Sequence, residues 1–348
     1  FEPFIDKNKF LTKYIELGGK GDISNFFYEV HYKLNFLRNF FVYKKNKLNQ
    51  KIDHEKEWFE HFVGGTLRYN ISNKDFFLAQ GDLIVDKKND NGYCFSVQTG
   101  YDGRWGSAKY TIARHLPDLV SQFYQNNDKC KDFLRNWEND FKIQLDQQIF
   151  VEGNLDFSIF TFRPNCSFIL QKNPIVYKKD SKDAVISATC YPDQETSKKS
   201  LFAGGLFGIG VWDNEFHWDF DVVKSIFAEG NKNVPDWMVT TRIYYLHNIF
   251  EDRGDFTCGV ELNWNSPYYG DAYDPIIQRF YSQDFFEMYS YPLLGAYINF
   301  RIDKFRVFMK VINILHYLKK ERVTYYASPF YPGQHRSFDF GVSWSMFN

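Results

Sequence analysis

The 348-residue chain carries 42 Lys and Arg against 43 Asp and Glu, a net charge of −1, and 20% of its residues are aromatic, with 38 Phe and 24 Tyr. That balance excludes the basic excess a nucleic-acid-binding surface needs, and no run reaches the ~18–20 apolar residues of a membrane-spanning helix. A mean hydropathy of −0.46 is that of a soluble protein, or of a barrel whose alternating strands average out along the chain.

The chain opens at Phe1 without methionine, as a processed or truncated chain would, and shows no basic-then-apolar leader. The first predicted strand is FFYEVHYKLNF, residues 26–36, where Phe26, Tyr28, Val30, Tyr32, Leu34 and Phe36 alternate with Glu29, His31, Lys33 and Asn35. Successive side chains of a strand point to opposite faces, so one face is greasy and the other wet. GTLRYNI repeats the pattern, with Gly65, Leu67, Tyr69 and Ile71 against Thr66, Arg68 and Asn70. YCFSVQTGY sets Tyr93, Phe95 and Val97 against Ser96 and Gln98, and LDFSIFTF carries Leu155, Phe157, Ile159 and Thr161 on one face. FHWDFDV places Phe216, Trp218, Phe220 and Val222 opposite His217, Asp219 and Asp221.

The last third alternates most clearly. FTCGVELNW opposes Val260 and Leu262 to Glu261 and Asn263; LGAYINFRI opposes Ile298 and Phe300 to Asn299 and Arg301; FRVFMKV opposes Val307 and Met309 to Arg306 and Lys310. Asp303-Lys304 reads as the tight turn between the last two, and SFDFGVSWSMF closes the series. GGKGD near Gly19, KKNDNG before Tyr93, EDRGD near Asp255 and YPDQETSKKS (191–200) read as turns or loops. DKCKDFLRNWENDF (128–141) is the best helical candidate, on a weak 3.6-residue period. With no linker, low-complexity tract or exact repeat, a single all-β domain over residues 1–348 is expected.

Long strand candidates approach the ~9–11 residues that a tilted strand needs to cross a bilayer. Aromatics at predicted strand ends (Trp212, Trp237, Trp264, Tyr268, Tyr269, Trp344 and Phe347) fit girdles at two membrane interfaces. The expected fold class is therefore all-β: a transmembrane antiparallel up-and-down β-barrel of about 14–16 strands, at roughly 20 to 25 residues per strand with its turn.

Three stretches carry a family likeness: RGDFTCGVELNWNSPYYGDAYDPIIQRFYSQ (253–283), YPLLGAYINFRIDKFRVFMKV (291–311) and YYASPFYPGQHRSFDFGVSWSMF (325–347). The last is the most specific, with its tyrosine pair, its Ala-x-Pro-x-Tyr-Pro element, Arg336 and a closing strand of alternating aromatics with Gly341 and Trp344. In these the chain resembles the putative porin family of Bacteroidota outer membranes. A weaker match through RYNISNKDFFLAQGDLIVD and RNWENDFKIQ extends the likeness over most of the chain from about residue 60. The resemblance implies a barrel in the outer membrane of a Gram-negative cell, in contact with the lipid bilayer and lipopolysaccharide. Members of the family are longer, so part of its N-terminal portion is expected to lie outside this chain.

Barrels of ~16–18 strands enclose a channel, and ~8-stranded ones are filled by side chains. The first functional expectation is thus a porin-like channel for passive diffusion of small polar solutes or ions. Its lining would be the wet face: Glu29, His31, Lys33, Arg68, Asp219, Asp221, Glu261, Asn299, Arg301, Arg306 and Lys310. The second is a non-conducting accessory subunit that docks outer-membrane lipoproteins or other barrels through PDQETSKKS, FAEGNKNVPD and NSPYYGDAYDP. No enzyme is expected, because none of the eight histidines stands in a serine-hydrolase or metal-ligand spacing. No cofactor or metal site is expected either: the five cysteines are scattered, Asp252, Asp255, Asp271 and Asp274 form no D-x-D-x-D-G loop, and GGLFGIG (204–210) lacks a phosphate-loop lysine.

Overall fold

A computed structural model describes residues 7–45, 50–86, 93–125, 136–179, 190–213, 215–229, 233–249, 253–275, 277–317 and 325–345. Fifteen strands succeed one another in chain order: β1 Lys7–Ile23, β2 Phe26–Lys45, β3 Gln50–Asn70, β4 Phe76–Asp86, β5 Tyr93–Gly103, β6 Gly106–His115, β7 Gln144–Gly153, β8 Phe160–Lys172, β9 Ser197–Val211, β10 Phe216–Glu229, β11 Trp237–Ile249, β12 Gly254–Asn265, β13 Leu293–Ile302, β14 Phe305–Ile312 and β15 Ser337–Trp344. With the short strand Leu155–Asp156 they make one sixteen-stranded antiparallel meander. The contacts divide the chain into two compact units, residues 1–149 with 169–198, and residues 150–168 with 199–348.

Residues 24–25, 71–75, 104–105 and 303–304 are short connections, whereas 266–292 is a long one. Ser24, Trp212, Asp213 and Asp303 take φ between 47° and 55°, the left-handed backbone that lets a tight hairpin follow the twist of its strands.

The apolar faces are open. Phe26 is 45% exposed and Val30 57%, and Leu67, Phe77, Ile243, Val260, Ile298 and Val342 are likewise exposed. A sandwich would bury one such face from every strand. Among the described residues the few buried apolar groups, Ala272, Ile277, Tyr281, Met288 and Tyr291 among them, belong chiefly to the long loop 266–292. Some polar atoms on the open faces have partners across the strands: the Trp218 indole N–H donates to Thr241 Oγ1 (2.8 Å), and Tyr32 Oη lies 2.8 Å from His61 Nδ1.

Several expectations change. GGKGD is not a turn; it pairs with β2 residue for residue, Gly18 opposite His31 and Gly21 opposite Tyr28, and the turn falls at Ser24-Asn25. LDFSIFTF does not run as one strand, because the Phe157 N–H bonds the Phe160 carbonyl and closes a turn there. YPDQETSKKS is mostly strand: Cys190–Gln194 pairs with Ile175–Lys179, and β9 begins at Ser197. In the helical candidate the described part begins with a strand, Asn136–Glu138, paired to Phe123–Gln125. Asp255 lies in β12 and not in a loop. KKNDNG, Cys130, Asp252, Met346 and Phe347 fall outside the described residues.

Candidate functional site

Each unit carries charged side chains on one face of its strands, with some aromatic groups among them: Tyr14 and Phe62 stand on the face of Lys33, and Phe308 on that of Asn299. In the first unit this face is built on β1 to β5. Glu29 stands between Lys20 and Thr66, His31 between Gly18 and Gly64, and Lys33 between Glu16 and Phe62. His31 does not stop at its neighbouring strand: its Nε2 lies 3.1 Å from Asp82 Oδ1 on β4, two strands away. Gly64 makes that reach sterically feasible, since a Cβ there would lie 2.1 Å from Asp82 Oδ1 and 2.6 Å from His31 Nε2. The Lys33 ammonium sits 4.4 Å from the Tyr14 ring centroid, a favourable cation–π contact. Arg68 donates from Nε to Asn70 Oδ1 at 2.8 Å and stacks 4.0 Å over Phe76.

In the second unit the charges form a ladder across β10 to β15. Arg242 Nη2 bonds Asp219 Oδ2 at 2.9 Å and stands directly opposite Glu261. Glu261 reaches across β13 to Lys310, 2.6 Å away, and Lys310 in turn faces Asp339. Gly295 clears that path, because a Cβ on it would meet Glu261 Oε1 at 3.3 Å. Tyr244, stacked on His217 with ring centroids 4.7 Å apart, lies next to this row. Asp221 sits between Leu206 and Thr240, and Asn299 between Thr257 and Phe308. Arg301 pairs with Asp255 and directly opposes Arg306.

Within each unit, then, the residues singled out from alternation lie on one face. Glu29, His31, Lys33 and Arg68 share one; Asp219, Asp221, Glu261, Asn299, Arg301, Arg306 and Lys310 share the other. Alternation misses the groups that complete them, Asp82, Arg242, Asp255 and Asp339. The signal for Arg242 is blurred by the doublets Thr240-Thr241 and Tyr244-Tyr245 in β11, each of which puts similar side chains on both faces.

Outside the strands, the Asp75 carboxylate caps its turn, accepting from Ser72 Oγ (2.6 Å), the Arg104 backbone N–H (2.9 Å) and Tyr101 Oη (3.1 Å). The Ser72 hydroxyl first, and then the Arg104 N–H, hold its pKa below the ordinary 3.8. Side-chain hydrogen bonds order parts of two long connections, 266–292 and 313–336. Gln283 donates from Nε2 to the carbonyls of Gly270 (2.6 Å) and Phe286 (2.8 Å), and its Oε1 accepts from the N–H groups of Phe285 and Phe286. Buried Asn313 accepts from Tyr291 Oη at 2.7 Å and donates to the Gln334 carbonyl at 2.9 Å.

A family model described as "Putative porin" matches residues 7–348. No curated protein matches this chain in sequence. Solved structures do match in fold. A mutant ferric enterobactin receptor from Pseudomonas aeruginosa, in complex with enterobactin, aligns at 9% identity and TM-score 0.62 over 97% of this chain and 54% of its own. The copper transporter OprC aligns at 11% identity and TM-score 0.66, over 97% and 59%. A siderophore receptor, PirA from Acinetobacter baumannii, aligns at 11% and 0.61, over 97% and 55%. This chain thus spans less than two thirds of the length of each.

Proposed function

This chain belongs to the putative porin family, an outer-membrane β-barrel, and on that premise we propose that it forms a channel for passive diffusion of small polar solutes or ions. The observation that carries the proposal is the polar face itself. In each unit, charged groups of both signs line one side of the sheet in cross-strand rows, while Phe, Tyr, Val and Ile cover the other side. In a barrel in lipid the apolar side faces the acyl chains, leaving the polar side to the interior. Glu29, His31, Lys33, Arg68, Asp219, Asp221, Glu261, Asn299, Arg301, Arg306 and Lys310 are then the lumen groups. Ion pairs such as Asp219–Arg242 and Glu261–Lys310 hold much of that charge in neutral combinations, which favours weak ion selectivity. Single-channel recording of the purified chain in a planar bilayer tests this. Stable conductance steps are expected, changed in size or selectivity by Arg301→Glu or Asp219→Lys; silence from folded, inserted protein would sink the channel.

The second reading, a non-conducting accessory subunit, is favoured by the internal order of the long loops, above all the Gln283 and Asn313 networks. Loops ordered by such bonds can occlude a lumen or present a fixed docking surface to lipoproteins or other barrels. Silence in the bilayer, with lipoproteins or other barrels co-purifying, is what this reading expects.

A further inference from the structure

Two imidazoles meet in the 313–336 connection of the second unit: His335 Nδ1 lies 2.9 Å from His316 Nε2, 19 residues away in sequence. That separation is no metal-ligand spacing, so the pair exists only in the fold. Both rings hang from fixed points. Asn313 is buried, takes a left-handed backbone (φ 56°) just after β14, and accepts the His316 N–H with its carbonyl at 3.2 Å. This starts the short 3-10 helix Ile314–Tyr317 that carries His316. The Asn313 side chain donates to the Gln334 carbonyl at 2.9 Å, and β15 begins at Ser337, opposite Ile312. His335 lies between these two anchors.

The distances within the pair fit a shared ion. In a straight hydrogen bond each ring extends away from the other, which puts the centroids more than ~5 Å apart. Here they are 4.5 Å apart, with 50° between the planes, so the rings lean together, as two lone pairs aimed at one point require. Two nitrogens ~2.05 Å from one ion and ~90° apart lie ~2.9 Å from each other, whereas a tetrahedral angle sets them at ~3.3 Å. The observed 2.9 Å is the right-angled value, the geometry of tetragonal Cu2+ or Ni2+, and divalent affinity peaks at Cu2+. Among the described residues no set of three His, Cys, Asp or Glu is placed to hold a metal, so the pair acts as a two-nitrogen chelate with water in the remaining positions.

We infer that His316 and His335 form a binding site for a divalent transition-metal ion, Cu2+ foremost, which clasps the two ends of the 313–336 connection. Without the ion one ring donates to the other. With it both facing nitrogens are bare, the donating ring having taken its other neutral tautomer by exchanging a proton with water. The site is independent of conduction, because the connection it clasps lies outside the long strands.

The probe is copper(II) sulfate, titrated into the full chain, free of any histidine tag, in a neutral detergent. Binding is followed by electron paramagnetic resonance, and stability by the temperature at which gel mobility changes. One saturable ion with hyperfine splitting from two imidazole nitrogens is expected, and it should raise the unfolding temperature. His316→Gln and His335→Gln should each weaken binding at least ~10-fold, the least that losing even an outer partner of a metal usually costs, and remove the two-nitrogen pattern. His61→Gln, on β3 of the first unit, should bind as the unsubstituted chain does. The mobility of each unheated variant verifies that it is folded. Equal copper binding by the unsubstituted chain and His335→Gln, a loss in only one of the two pair variants, or no saturable binding at all overturns the site.

Discussion

Gly64 carries one of the sharpest constraints on the polar face. It stands where the His31 imidazole crosses toward Asp82, and any β-carbon would overlap both groups. Gly64→Val is expected to destabilise by about 1–3 kcal/mol through overpacking, read as a lower urea midpoint in lipid vesicles. An unchanged midpoint would mean that His31 has room to swing elsewhere. Asp75 gives a pH-dependent counterpart outside the membrane. Its pKa is depressed in the folded state by the Ser72 hydroxyl and the Arg104 N–H, so its stabilisation is complete above the ordinary carboxylate value of 3.8 and is lost as pH falls through the depressed folded value. Asp75→Asn should therefore lower the unfolding midpoint at pH 7 and have progressively less effect as the pH falls below the ordinary carboxylate value toward the depressed one. A deficit as large in acid as at neutrality would contradict the assignment.

At the level of the strand, parity decides everything, because a shift of one residue exchanges the two faces. Val260 and Thr257 lie on the same strand, β12, but on opposite faces. Arginine on the lipid side near the midplane costs about 2–4 kcal/mol; Val260→Arg should pay most of this and Thr257→Arg little. Equal losses from both would undo the face assignment. Trp105 and Trp212, in short turns and 72% and 76% exposed, sit where an interfacial aromatic belt is expected. Elements with clean alternation, β2, β10, β12, β13 and β14, can be read directly from residues 26–36, 216–222, 256–264, 294–302 and 305–311. β11 cannot, because its doublets put like residues on both faces. Nor could the glycines of GGKGD reveal that they lie in a strand, since glycine marks turns and close cross-strand packing alike.

For the whole molecule, the closed hydrogen-bonding of a barrel predicts unusual resistance to detergent. Unboiled protein in dodecyl sulfate should migrate faster than boiled protein on a gel; identical mobility would argue against a folded barrel. The comparisons place this fold among outer-membrane proteins, and they leave the traffic through it to the side chains, because identities of 9–11% carry fold and not specificity.

The sequence by itself determined the fold class, the approximate strand count, the identity of the greasy and wet faces and the family. All follow from period-two alternation and local motifs, which depend on residues a few positions apart. Tertiary structure alone decided which charges meet. His31 with Asp82, Arg242 with Asp219 and Glu261 with Lys310 are separated along the chain by spans fixed only by register. Register depends on turn lengths and on a bulge such as the one between Leu201 and Phe202, and a one-residue change in any turn would regroup every charge on the neighbouring strand.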